Sequence, residues 1–152
     1  MLATGTWIYA FVNEVSPRLI GIPHRTFFVS KRILIVDDNA LIRDLIRLFI
    51  ERGPDLEVCG EASDGVDGIE KGGELKPDLI VLDFSMPRAN GLEAAARLRE
   101  VVPNTPVILL TIYKDAIPIP MALAAGVASV LSKTDQLPVL ADEIKRLTGW
   151  TN

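Results

Sequence analysis

From Lys31 onward the chain alternates short apolar runs with segments of helical period, a rhythm that predicts a parallel sheet covered by helices on both faces. Five strand–helix pairs follow one another. Arg32 to Val36 is a continuous apolar strand ending at Asp37 and Asp38, and the helix after it, from about Asn39 to Arg52, carries Leu41, Leu45, Leu48 and Phe49 along one side. Gly53 and Pro54 end that helix. Glu57 to Ala62 reads as the second strand, followed over Asp64 to Leu75 by a weaker helix containing Gly65, Gly68, Gly72 and Gly73. Asp78 to Leu82 is the third strand, ending at Asp83, and a loop through Ser85, Met86, Pro87 and Asn90 leads into a helix from about Gly91 to Val101. The fourth strand, Pro106 to Leu110, ends at Thr111, and a helix punctuated by Pro118 and Pro120 runs from after Asp115 to about Ala125. Ala128 to Leu131 is the last strand, ending at Ser132 and Lys133, and an amphipathic helix from about Gln136 to Leu147 closes the series.

Residues 1–30 do not share this rhythm. Their apolar run from Trp7 to Val12 is too short for a membrane span of about 20 residues, and the stretch starts without the Lys or Arg of a signal peptide. Pro17, Pro23 and two glycines interrupt any long helix, leaving Thr6 to Val15 room for a short amphipathic turn or two. Two readings stand side by side: a poorly ordered tail, including a translation start assigned too far upstream, or a segment that docks on a partner. His24 has no ligand-like neighbours and reads as an exposed tail histidine.

Composition narrows the class. A chain of 152 residues fits one domain, and 49% hydrophobic with 24% charged residues is too apolar for a disordered chain. The 16 basic and 20 acidic residues give a net charge of −4, a field that repels phosphate backbones and anionic lipid, so neither nucleic acid nor membrane is an expected partner. The one cysteine, Cys59, cannot form an internal disulfide, and no paired Cys or His spacing suggests zinc, so a reducing compartment, the cytoplasm, is expected. Cys59 itself reads as a small buried hydrophobe in the second strand.

The polar residues at the strand ends carry the chemistry. In an open parallel sheet all strands bring their carboxyl ends to one edge, and ligands bind in the crevice outside it. Asp37 and Asp38, Asp83, Thr111 and Lys133 end the first, third, fourth and fifth strands, so right-handed crossovers from a first strand near the centre gather them in one crevice. Singly each has a plainer role: Asp38 or Asn39 as a helix N-cap, Thr111 as a β-branched strand residue, Lys133 as a solvated loop charge. Those roles leave three carboxylates, a hydroxyl and an ammonium at one edge unexplained. Close carboxylates repel by roughly 4 kcal/mol per pair at an effective dielectric of about 20. Lys133 supplies one balancing charge and a hard divalent cation the rest; few protein ligands and room for water favour magnesium over calcium, with manganese as a substitute.

The strings RILIVDDN, PDLIVLDFSMPRANGLE, PVILLT and ASVLSK, spread over roughly residues 31–148, resemble the receiver domain of bacterial response regulators. The resemblance implies an α/β fold of flavodoxin-like type, a doubly wound five-stranded parallel sheet in the order 2-1-3-4-5 with helices on both faces. It places a receiver domain over 31–148, with 1–30 as an extension and 149–152 as a tail. It also implies that Asp83 is the phosphoacceptor, attacking the phosphorus of a phosphohistidine on a sensor histidine kinase or phosphotransfer protein. Asp38, Asp83 and the backbone carbonyl of Ser85 would ligate magnesium, Asp37 acting mainly through a metal-bound water. Lys133 would pair first with Asp83 and then with a phosphoryl oxygen, and Thr111 would turn its hydroxyl toward the same group. The added charge would draw in the loops after the fourth and fifth strands and alter the surface a partner meets.

Several residues depart from the commonest pattern of that family. Val130, three residues before Lys133, stands where many receivers carry a Tyr or Phe, which argues against an aromatic rotamer switch. Thr134 replaces a frequent cis proline and predicts a loop that moves more easily. Ile112, bulkier than the usual small residue, narrows the mouth above Asp83. Thr after the Lys is more like receivers found upstream of helix-turn-helix output domains. Past Leu147, however, only Thr148 to Asn152 remain, against roughly 60 residues for such a module. The expectation is therefore a stand-alone chain without an output domain and without direct DNA binding, acting on a downstream protein target, with its fourth helix, fifth strand and fifth helix as the face for either a partner or a homodimer. Tyr113, Ile117, Ile119, Met121 and Leu137 either give that face an apolar patch or belong to the core, and Trp150 either packs back on the last helix or is free. Two other functions compete. A magnesium phosphatase with an Asp nucleophile usually carries a second Asp two residues on as general acid, where this chain has Ser85; a receiver-shaped module that is never phosphorylated has no need of the full acidic set. No enzymatic turnover is expected beyond self-phosphorylation from a phosphodonor and autodephosphorylation.

Overall fold

The computed structural model describes residues 29–150, so the readings of Trp7 to Val12 and of His24 lie outside the described residues. Five parallel strands, β1 (Lys31–Val36), β2 (Leu56–Ala62), β3 (Leu79–Asp83), β4 (Val107–Thr111) and β5 (Ser129–Ser132), form one sheet in the order β2-β1-β3-β4-β5. They alternate with α1 (Ala40–Ile50), α2 (Gly65–Leu75), α3 (Gly91–Val101), a 3-10 turn (Lys114–Ala116) with α4 (Ile119–Ala124), and α5 (Leu137–Thr148). This is the flavodoxin-like arrangement.

The continuous apolar runs are strands buried on both faces, and side-chain alternation divides them between two cores. Leu34, Val36, Ile80, Leu82 and Leu109 join Ala94 and Leu98 of α3 on one face, while Ile33, Ile35, Val81 and Ile108 meet Ile46 and Ile50 of α1 and Leu140 and Ile144 of α5 on the other. Each fully buried aliphatic side chain contributes roughly 1.5–3 kcal/mol relative to exposure, so the polar residues that interrupt this pattern at the strand ends are the ones needing a reason.

Local expectations are corrected at two helices. On α1 the buried positions are Ile46 and Ile50, with Ile42 partly covered, whereas Leu41, Leu45 and Leu48 are exposed. The helix is apolar around most of its circumference, and the sheet covers the isoleucine stripe. The helix expected up to Ala125 splits into the 3-10 turn and a six-residue α4, because Pro118 serves as N-cap and Pro120 lies in the first turn, neither with an N–H to continue a longer helix. The glycine-rich α2 is the helix expected: a Cβ at Gly68 would lie 2.7 Å from Val36 and one at Gly72 2.6 Å from Leu98, so their absence lets α2 approach β1 and α3. Cys59 is the extra residue of a β-bulge, where Ile33 pairs with Val58 and Leu34 with Gly60; it is half-buried, and burial pushes its thiol pKa up. Trp150 packs back, its N–H donating to the Lys145 carbonyl at 3.1 Å with the Lys145 ammonium 4.6 Å from the ring centroid.

Candidate functional site

The chain leaves β1 for β2 on one side and returns to β3 on the other, which opens a crevice at the carboxyl ends of these neighbouring strands. Asp37 and Asp38 follow β1 and Asp83 ends β3. One carboxylate oxygen from each of the three lies within 4.8 Å of the others. Asp37 and Asp83 are buried, with 2% and 4% exposure, and Asp38 is exposed.

Local bonds fix each group. Asn39, not Asp38, caps α1, its side chain accepting from the Leu41 and Ile42 amides, so the Asp38 carboxylate is not spent on the helix. Asp37 Oδ1 accepts the Asn39 N–H at 2.9 Å, and the Asp37 carbonyl accepts from Arg43 Nη1 at 2.7 Å. Arg43 and Arg47 in turn both hold Glu61 of β2. That cross-element anchor was not visible in the sequence, since nothing local ties an α1 arginine to β2.

Lys133 reaches into the notch from the end of β5. Its Nζ is 2.6 Å from Asp37 Oδ2 and 3.1 Å from Asp83 Oδ1, so the expected first partner, Asp83, shares the ammonium with a nearer Asp37. Burial, then the Asp37 charge, push the Asp83 carboxyl above its ordinary pKa, with Lys133 opposing them. For Lys133 burial is the largest single influence and works downward, but hydrogen bonds to Asp37 and Asp83 together hold the ammonium above its ordinary value. Thr111 is 1% exposed; its hydroxyl accepts the Tyr113 N–H at 3.0 Å and its carbonyl accepts the Lys133 N–H at 3.0 Å.

Asp38, Asp83, Ser85, Thr111, Ile112 and Lys133 line a cavity of about 400 Å³, with Asp37 buried behind its wall. Ile112 is 60% exposed at the rim. Val130 is not among the lining residues; it is partly buried against the core that includes Leu109, Ala122 and Val127. Thr134 uses what a proline lacks: its N–H donates to Ser132 Oγ at 3.2 Å, the two hydroxyls lie 2.7 Å apart, and Asp135 Oδ2 accepts the Ser132 N–H at 3.0 Å. The loop after Lys133 is thus tied by its own hydrogen bonds, where a looser one was expected. Of the apolar candidates nearby, Tyr113, Ile119 and Met121 are exposed, Ile117 is buried and Leu137 packs on the α1–α5 core.

A family model of the response regulator receiver domain matches residues 33–145. The chain belongs to the response regulator receiver family. The receiver is 36% identical over 115 residues to the response regulator protein VraR of Staphylococcus saprophyticus, a match covering 76% of this chain and 55% of that protein. It therefore spans about half the length of the curated relatives it matches. Its fold superposes on the response regulator domain of Thermotoga maritima CheB with a TM-score of 0.73 and 30% identity, covering 81% of this chain and 99% of that one. It likewise superposes on a DNA-binding response regulator of the LuxR family from Staphylococcus aureus, with a TM-score of 0.71, 25% identity, and coverage of 78% and 98%. The receiver has the phosphoacceptor role of two-component signalling, and its relatives are response regulators. Receivers bind magnesium at an acidic pocket, and the three clustered carboxylates offer the hard oxygen donors that ion takes.

These matches overturn one expectation. DNA was excluded as a partner from the net charge and the short stretch after Leu147, yet one matched structure belongs to a DNA-binding response regulator and the chain covers only the receiver portion of its relatives. Charge and tail length describe this portion alone, so they exclude nothing about the rest. Among the described residues no helix is long and apolar enough to cross a membrane.

Proposed function

We propose that Asp83 is the phosphoacceptor and that Asp37, Asp38, Asp83 and the backbone carbonyl of Ser85 serve a magnesium ion, with manganese as substitute. The observation that carries this reading is a buried Asp83 carboxylate, 3.1 Å from the Lys133 ammonium, on the wall of an open cavity of about 400 Å³. An Asp83 oxygen attacks the phosphorus of a phosphohistidine. The P–N bond breaks, its electron pair leaves with the imidazole, and an acyl phosphate forms on Asp83. A bound magnesium ion supplies positive charge against the phosphoryl oxygens. Lys133 gives up part of its contact with Asp83 and donates to a phosphoryl oxygen, while Asp37, the nearer partner, keeps it in place. The Thr111 hydroxyl already accepts the Tyr113 N–H, so its own proton is free to donate toward the phosphoryl group.

Ser85 lines the cavity where an Asp-nucleophile phosphatase would carry its acid, so turnover is limited to self-phosphorylation and slow loss of the phosphoryl group. The partly covered, unpaired Cys59 thiol supports residence in the cytoplasm. Likeness to a DNA-binding response regulator supports an output read by a DNA-binding module. Incubation with a small-molecule phosphodonor and magnesium, followed by intact mass, tests the reading. One added phosphoryl group, absent in Asp83→Ala and without magnesium, is expected; steady phosphate release without a stable adduct, or no reaction, contradicts it.

A further inference from the structure

The loop from Ser85 to Asn90 between β3 and α3 is held at three points. At its base the Gly91 N–H donates to the Phe84 carbonyl at 2.8 Å. At its tip the Ala89 N–H donates to the Pro87 carbonyl at 2.9 Å, closing a γ-turn around Arg88, whose φ is 69°. A γ-turn with positive φ is rare and strained, and a non-glycine residue holds it only where neighbours enforce it. The third point supplies such a neighbour. Arg88 Nη2 donates to Asp64 Oδ2 at 2.6 Å, while Asp64 Oδ1 accepts the Asp67 N–H at 2.9 Å as the N-cap of α2. Beside this pair the backbones of loop and helix touch, since a Cβ at Gly65 would lie 2.5 Å from the Ala89 carbonyl oxygen.

One carboxylate therefore caps α2 and holds the β3–α3 loop. β2 and β3 flank β1 in the sheet, so the pair joins the loops on either side of the strand that leads to Asp37 and Asp38. Arg88 is more than half exposed, and exposed ion pairs add little to global stability. Its effect is local, on a loop that carries Ser85 three residues upstream.

We propose that the Arg88–Asp64 pair is a positioning clamp that keeps the Ser85–Ala89 backbone in the conformation in which the Ser85 carbonyl serves the magnesium site. The clamp rests on the magnesium reading given above. Arg88 is a positioning residue; it reaches neither the notch nor the phosphoryl group.

The test compares wild type with Arg88→Ala, Arg88→Lys and Asp64→Asn, the last preserving a good N-cap while removing the charge. Magnesium affinity is read by calorimetry and amide hydrogen exchange is read residue by residue in the metal-free proteins. Arg88→Ala and Asp64→Asn are expected to weaken magnesium binding by roughly three- to tenfold, the scale of one charge-assisted contact. The same variants should speed exchange at Ser85 to Ala89 with little change in melting temperature, and Arg88→Lys should recover part of both effects. Wild-type affinity in both variants overturns the clamp, even if exchange quickens. If wild type itself takes up no magnesium, the magnesium reading fails on its own, and unchanged exchange in the variants then overturns the clamp separately.

Discussion

Asp83 is 4% exposed beside a second buried carboxylate, and in the metal-free protein Lys133 alone among the described cations lies against both. Its pKa is raised by burial first and by Asp37 second. A carboxyl raised in this way favours the folded state fully below the ordinary carboxylate value and loses that contribution as pH rises through the folded value. At neutral pH the ionised side chain thus weighs against folding. Asp83→Asn, which leaves Lys133 paired with Asp37, is expected to raise the metal-free melting temperature by a few degrees at neutral pH, with the gain shrinking as the solution is acidified. A variant melting at or below wild type at neutral pH would show that Lys133 outweighs the desolvation. Ile112 lines the same cavity as Asp83 and is 60% exposed. Ile112→Ala is expected to speed both phosphoryl uptake and phosphoryl loss several-fold in time-resolved mass spectra, and equal rates in the two proteins would remove the side chain from the account.

At the scale of elements, the central strands were legible because buried parallel strands carry unbroken apolar runs, each stopped by a polar residue, whereas their order came with the resemblance to receiver domains. Faces of helices were less so. α1 places apolar residues at 41, 42, 45, 46, 48, 49 and 50, and periodicity alone does not say which of two adjacent stripes meets the sheet. Burial of Ile46 at 2% exposure, against 67% for Leu48, gives a direct contrast. Ile46→Ala is expected to cost roughly 2–5 kcal/mol in urea unfolding, and Leu48→Ala to stay within about 0.5 kcal/mol. Equal losses would mean that the exposed leucine stripe is covered in solution. The glycines of α2 weakened the helical signal without cancelling it, because a propensity scale counts their cost and not the close approach to Val36 and Leu98 that they permit.

At the scale of the molecule, the notch was legible because Asp37, Asp38, Asp83, Thr111 and Lys133 each end a strand, and one sheet edge gathers all strand ends. Pairings set by tertiary placement were not: the nearer contact of Lys133 with Asp37, Arg43 on the Asp37 carbonyl, and Arg88 on Asp64 join elements with no local signature. The exclusion of DNA failed for a different reason, since charge and tail length speak only for the residues counted. The central claim, a phosphoryl group on Asp83, is tested most directly by borohydride reduction after treatment with phosphodonor and magnesium. Reduction converts an aspartyl phosphate to homoserine, and peptide mapping locates it. Homoserine at position 83 alone is the predicted result. Homoserine at Asp37 or Asp38, or an unmodified Asp83 in protein that has gained a phosphoryl group, would contradict the account.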